Sequence, residues 1–94
     1  MTASEIAKAL GVTEGTKTFE FPEPVKAIQA KGGMPGVHYT LTHADIIERA
    51  GRVQIIVKGT LHFLGINWPV YVKWNQVLAS ARHLLENALL KSNA

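Results

Sequence analysis

Four histidines, a single aspartate and three serines are the side chains of this 94-residue chain best suited to coordination or nucleophilic chemistry. His38, His43 and Asp45 offer imidazole and carboxylate donors of the kind zinc accepts. Two histidines with four residues between them, spread over a loop and an element start, lack the spacing of a metal signature, and His62 and His83 stand alone. No metal is expected, and these histidines read as surface or capping groups. Ser4, Ser80 and Ser92 occupy helical or terminal contexts without the strained turn that exposes a nucleophile, so a serine triad is not expected. The glycines of Lys31-Gly32-Gly33-Met34-Pro35-Gly36 do not lead into the Gly-Lys-Ser/Thr of a phosphate loop. That segment reads as a connector, with contact to a partner as its functional alternative. The chain is expected to be non-enzymatic and to need no cofactor.

A second group of side chains suits binding rather than catalysis. Lys58, His62, Tyr71 and Lys73 alternate with apolar residues and would share one face of a β-ribbon, a basic and aromatic platform on which bases stack while cations follow a phosphate backbone. Arg52 and Arg82 extend this set of candidate contacts to a partner or nucleic acid. The charge distribution agrees. Residues 1–51 carry five cations and six carboxylates, whereas residues 52–94 carry five cations and only Glu86, so the +3 net charge resides in the carboxyl-terminal half. Such asymmetry suits a polyanionic partner, and it also describes an ordinary solvated basic surface.

These residues need a scaffold, and its pattern is clearest between Val53 and Trp74. Val53, Ile55, Val57, Leu61 and Phe63, then Ile66, Trp68, Val70, Val72 and Trp74, alternate with polar residues, the period of a hairpin with one buried face. For both runs to share that face the turn, placed within Leu64-Gly65-Ile66-Asn67, must hold an even number of residues. Gly59 marks a bulge or a place where a tryptophan crosses bare backbone, and Pro69 implies a free edge. After Asn75, a good N-cap, Val77, Leu78, Ala81, Leu84, Leu85, Ala88 and Leu89 recur near every 3.6 residues. The expected fold is therefore α+β: a small antiparallel sheet dominated by a hairpin at about 53–74, packed by an amphipathic helix at about 75–91 and by short amino-terminal helices. Trp68 and Leu85 are expected to be buried. One compact domain spans 1–94, since the chain is long enough for one core only.

The amino-terminal half is read from local signals. Thr2-Ala3-Ser4-Glu5 has capping-box spacing and Gly11 suits a helix stop. Lys17 to Phe21 reads as a brief strand ending at Pro22. Pro24 opens a short helix carrying Val25 and Ile28, and Thr42-His43-Ala44-Asp45 starts another that ends at Gly51. The amino-terminal helices are expected to cover the outer face of the hairpin, where Ile56 and Leu64 would fall. Residues 2–13 resemble the first helix and turn of a helix-turn-helix motif, with small Ala7 inside and Gly11 at the turn. Where a recognition helix needs an apolar anchor, the chain has Gly15 and Lys17.

With no cysteine, no disulfide or thiolate site is available. No apolar run is long enough to cross a bilayer and the amino terminus lacks the pattern of a secretory signal, which predicts a cytoplasmic protein without membrane contact. The expected function is a non-enzymatic protein-binding module: a small regulator, inhibitor or assembly component, of a type common among phage and mobile-element accessory proteins. A protein is the expected partner, with homo-oligomers formed through the hairpin edge or the carboxyl-terminal helix. The alternative is a nucleic-acid-binding regulator that uses the basic half or the partial helix-turn-helix at 2–13.

Overall fold

A computed structural model describes residues 1–28 and 37–92. The elements run α1 (Ala3–Ala9), β1 (Gly15–Ile28), β2 (His38–Arg49), β3 (Arg52–Phe63), β4 (Ile66–Lys73), a 3-10 turn (Trp74–Gln76) and α2 (Ala79–Ser92). The four strands form one antiparallel sheet in the order β1-β2-β3-β4. The fold is α+β, as the alternation of residues 53–74 implies, and the sheet is larger than that hairpin.

Both hairpins at the centre of the sheet close through two-residue turns whose residues have positive φ: Ala50 and Gly51 between β2 and β3, Leu64 and Gly65 between β3 and β4. Positive φ at both positions is the geometry that matches strand twist. The even-numbered turn sets the expected register, pairing Val57 with Val72, Leu61 with Trp68 and Phe63 with Ile66. Apolar residues of all four strands consequently share one face. Phe19, Ala44, Val57 and Val72 form one row across it.

Two expected helices are strands instead. The segment after Pro24 belongs to β1, with Val25 opposite Leu41 and Ile28 opposite Tyr39. Residues 42–49 belong to β2. The reason is a bulge. Tyr39 and Leu41 point to the core from odd positions and Ala44 and Ile46 from even ones, because the register slips one residue between Leu41 and His43. An inserted residue reverses the phase of a period-two pattern, and the local letters then imitate a helix start. β1 has its own irregularity between Glu20 and Val25, where Pro22 and Pro24 sit on an edge strand that tolerates missing donors.

α1 forms as its capping box dictates. The Thr2 hydroxyl accepts from the Glu5 N–H at 3.2 Å and the Glu5 carboxylate accepts from the Thr2 N–H at 3.2 Å. Gly11, at φ 74°, follows its end. The chain then enters β1, so no recognition helix completes the helix-turn-helix. α2 starts later than Asn75: the chain first makes the 3-10 turn and buries Trp74 and Val77, and Leu78 supplies the first helical acceptors, to Ala81 and Arg82.

Both helices lie on the same side of the sheet. Ile6, Ala7 and Leu10 of α1 and Ala81, Leu85 and Leu89 of α2 join one core with Leu41, Ile46, Ile55 and Val57. α1 packs on β3, and α2 packs on β1 rather than across the β3–β4 hairpin. This corrects two expectations. The outer face of the sheet has no cover among the described residues, and the far end of the hairpin is bare on its apolar side, leaving Trp68 exposed. No helix among the described residues is long and apolar enough to cross a membrane.

Candidate interaction surfaces

Strand alternation puts Arg52, Lys58, His62, Tyr71 and Lys73 together on the outer face, on two adjacent strands. Lys58 stands directly opposite Tyr71, His62 opposite Asn67, and Lys73 opposite Ile56. Arg82 is separated from them. It lies half-buried on α2, on the other side of the sheet, with its Nε enclosed and without a hydrogen-bond partner among the described residues.

Two hydrogen-bonded clusters organise the outer face. In the first, Asp45 on β2 accepts from the Lys58 ammonium at 2.7 Å and from the Thr18 hydroxyl at 2.6 Å, tying β1, β2 and β3 together. Those two donors, Lys58 first, stabilise the ionised carboxylate and hold the Asp45 pKa below its ordinary value despite partial burial. In the second, the His62 ring is engaged at both nitrogens: Nε2 with the Thr40 hydroxyl at 2.8 Å and Nδ1 with the Asn67 carbonyl oxygen at 2.7 Å. A carbonyl oxygen only accepts, so the Nδ1–H of His62 donates to Asn67. Lys58 and His62 are thus cross-strand ties, whereas Arg52, Tyr71 and Lys73 are exposed.

Position alone could not reveal Arg49. It stands directly opposite Arg52 across the Ala50-Gly51 turn, both side chains are exposed, and neither has an ion-pair partner among the described residues. Seen in sequence it belongs to an expected helix. Once the bulge is placed, it becomes the fourth member of an outer-face set.

Possible coordination chemistry does not converge. His43 and Asp45 share the outer face, but Asp45 is engaged by Lys58 and Thr18, and His43 Nδ1 lies 2.9 Å from the Thr42 hydroxyl. Among the described residues no group of three His, Asp or Glu side chains could hold a metal ion. The segment 31–36, read as a connector or contact loop, lies outside the described residues.

The second surface is apolar. At the tip of the β3–β4 hairpin Leu64 is 81% exposed, Ile66 52% and Trp68 55%, next to half-buried Leu61, Phe63 and Val70. β4 is an edge strand, and its pairing decides what that edge can do. Phe63 and Ile66 close a two-residue turn and so form a hydrogen-bonded pair; alternation then makes Thr60 and Pro69 a non-hydrogen-bonded pair. The Pro69 nitrogen therefore points outward, and the free edge lacks a donor at its middle. Strand addition is disfavoured there, and contact through side chains is not.

A groove of about 350 Å³ lies between α2 and the irregular part of β1, where exposed Leu84 faces Pro22, Pro24 and Val25. No protein-family model matches the chain, and neither a curated protein nor a solved structure matches it.

Proposed function

We propose that this chain is a non-enzymatic protein-binding module, a small regulator, inhibitor or assembly component, whose contact surface is the apolar tip of the β3–β4 hairpin. The observation that carries this reading is Leu64. A turn with positive φ at both positions favours Asn-Gly, and a leucine held at φ 50° costs about 1–2 kcal/mol in backbone strain. The same leucine gains nothing by burial in the isolated chain, being four-fifths exposed. Ile66 and Trp68 stand beside it with half of their surface in water. An aromatic anchor ringed by half-buried apolar residues is the composition of an interface hot spot.

The test is affinity capture from a nuclease-treated cell extract at high salt, comparing the wild-type chain with Leu64→Asn and Trp68→Ala. The expected result is a discrete protein retained by the wild type and lost with both variants, whose far-ultraviolet circular dichroism and cooperative unfolding show an unchanged fold. Equal capture by all three would refute the tip as the contact surface.

A further inference from the structure

We infer that the outer face of the sheet is a second binding surface, for single-stranded nucleic acid, with Arg49 and Arg52 gripping phosphate and Tyr71 stacking a base. This goes beyond the hairpin-tip reading, because it uses the opposite face and a different class of partner.

The first support is charge. Residues 52–73 contain no carboxylate. Two carboxylates share the outer face from β1 and β2, and one of them, Asp45, is already engaged by Lys58 and Thr18. Arg49, Arg52 and Lys73 remain exposed and without ion-pair partners among the described residues. The surface is complementary to a polyanion.

The second support is the arginine pair. Like charges directly opposite each other across two strands destabilise the pairing unless an anion lies between them. Glu48, next in sequence, is turned to other use: its carboxylate accepts from the Gly51 N–H at 2.8 Å and closes the turn. Two guanidinium forks side by side match the geometry of a phosphate better than that of a lone carboxylate.

Spacing and an exposed ring give the third. Strands rise about 3.4 Å per residue, so the arginine pair, the row of Lys73 and the row of Tyr71 lie along a track of roughly 20 Å. That length suits about four nucleotides, the lower end of known site sizes. Tyr71 is 64% exposed. A ring on an open sheet face reaches the unpaired bases of a single strand, whereas duplex bases are already stacked.

The experiment is a titration of a fluorescein-labelled 12-nucleotide single strand of mixed sequence, followed by anisotropy at 50 and 200 mM salt. Two neutralised phosphates, one between the arginines and one at Lys73, predict affinity roughly sevenfold weaker at the higher salt. The doubly substituted Arg49→Ala/Arg52→Ala chain should reduce that ratio to about threefold. Tyr71→Ala should weaken binding about tenfold while leaving the salt dependence unchanged. Circular dichroism confirms the fold of each variant, and all the substituted side chains are exposed. Trp68→Ala should bind the strand as the wild type does, which keeps failure of this inference separate from failure of the hairpin-tip reading. No anisotropy change with protein up to about 1 mM at 50 mM salt would overturn the inference, since non-specific affinities are stronger than that. Displacement of the strand by polyglutamate as effectively as by unlabelled oligonucleotide would overturn it in favour of an acidic protein.

Discussion

Trp68 and Trp74 lie six residues apart on one alternating run and on the same side of one sheet, yet Trp74 is 8% exposed and Trp68 is 55% exposed. Nothing in the local pattern separates them. The difference comes from the cover: α1 packs on β3 with Trp74 in its core cluster, α2 packs on β1, and neither reaches the β4 side of the hairpin tip. Alternation assigns a residue to a face, and the placement of distant elements decides whether that face is dry. In this chain one half of the ribbon is core and the other half is bare.

That contrast is broken most directly at its buried end. Trp74→Ala should cost about 3–5 kcal/mol, as expected for a buried aromatic whose site cannot fully collapse. Chemical denaturation measures it. A cost near that of an exposed substitution would mean that the covered half is no better packed than the bare half.

Gly59 sits at the boundary between the halves. A β-carbon built there would collide with the Thr40 carbonyl oxygen and meet the Leu41 Cα at 2.7 Å, both backbone atoms of β2. The crowding coincides with the β2 bulge, since the register slips between Leu41, opposite Gly59, and His43, opposite Lys58. Gly59→Ala is therefore expected to cost about 3 kcal/mol, the upper end of ordinary overpacking, because backbone rather than a side-chain end must move. A loss below about 1 kcal/mol, measured in the same denaturation series, would show that β2 can straighten.

The bulge also explains how much was legible in the sequence. The 53–74 hairpin, its even turn, the α1 capping box and the free edge at Pro69 were all readable, because each is encoded in neighbouring letters. β2 was not, because Thr42 interrupts its alternation, and Thr-His-Ala-Asp followed by Ile46, Ile47 and Ala50 then matches a helix. β1 beyond Phe21 was hidden by Pro22 and Pro24, which are admissible on an irregular edge strand and equally at home at a helix start. The site followed the same logic. Period two places Lys58, Tyr71 and Lys73 on one face, as the strand register does; Arg49 joins that face only once β2 is a strand, and α2 carries Arg82 to the other side.

At the bare end the effects should be smaller and of mixed sign. Trp68→Ala should cost about 1–2 kcal/mol, in proportion to the half of its surface that is buried. Leu64→Asn should raise stability by about 1 kcal/mol, because asparagine accepts the left-handed backbone more readily. A gain in stability together with loss of captured protein would identify Leu64 as a residue kept for contact at a cost to folding. A destabilised Leu64→Asn would place the leucine in a packing role instead.

The smallest effect concerns the outer face beneath the covered half, where Asp45 joins Thr18 and Lys58. Its carboxyl pKa is held low in the folded chain, chiefly by the Lys58 hydrogen bond and next by Thr18. A depressed folded pKa means that the pair stabilises the fold above the ordinary aspartate range, and that this contribution fades as pH falls through the folded value. Lys58→Met should move the Asp45 titration midpoint up toward the ordinary value, read by carboxyl-carbon NMR, and should flatten the acid limb of stability against pH. The change in stability should stay within about 0.2–1 kcal/mol, because solvent screens a pair whose lysine is 41% exposed. An unmoved midpoint would assign the depression to the Thr18 hydroxyl alone. Lys58 would then be free to join Arg52 and Lys73 as a contact, adding a cation to the Tyr71 row of the proposed track.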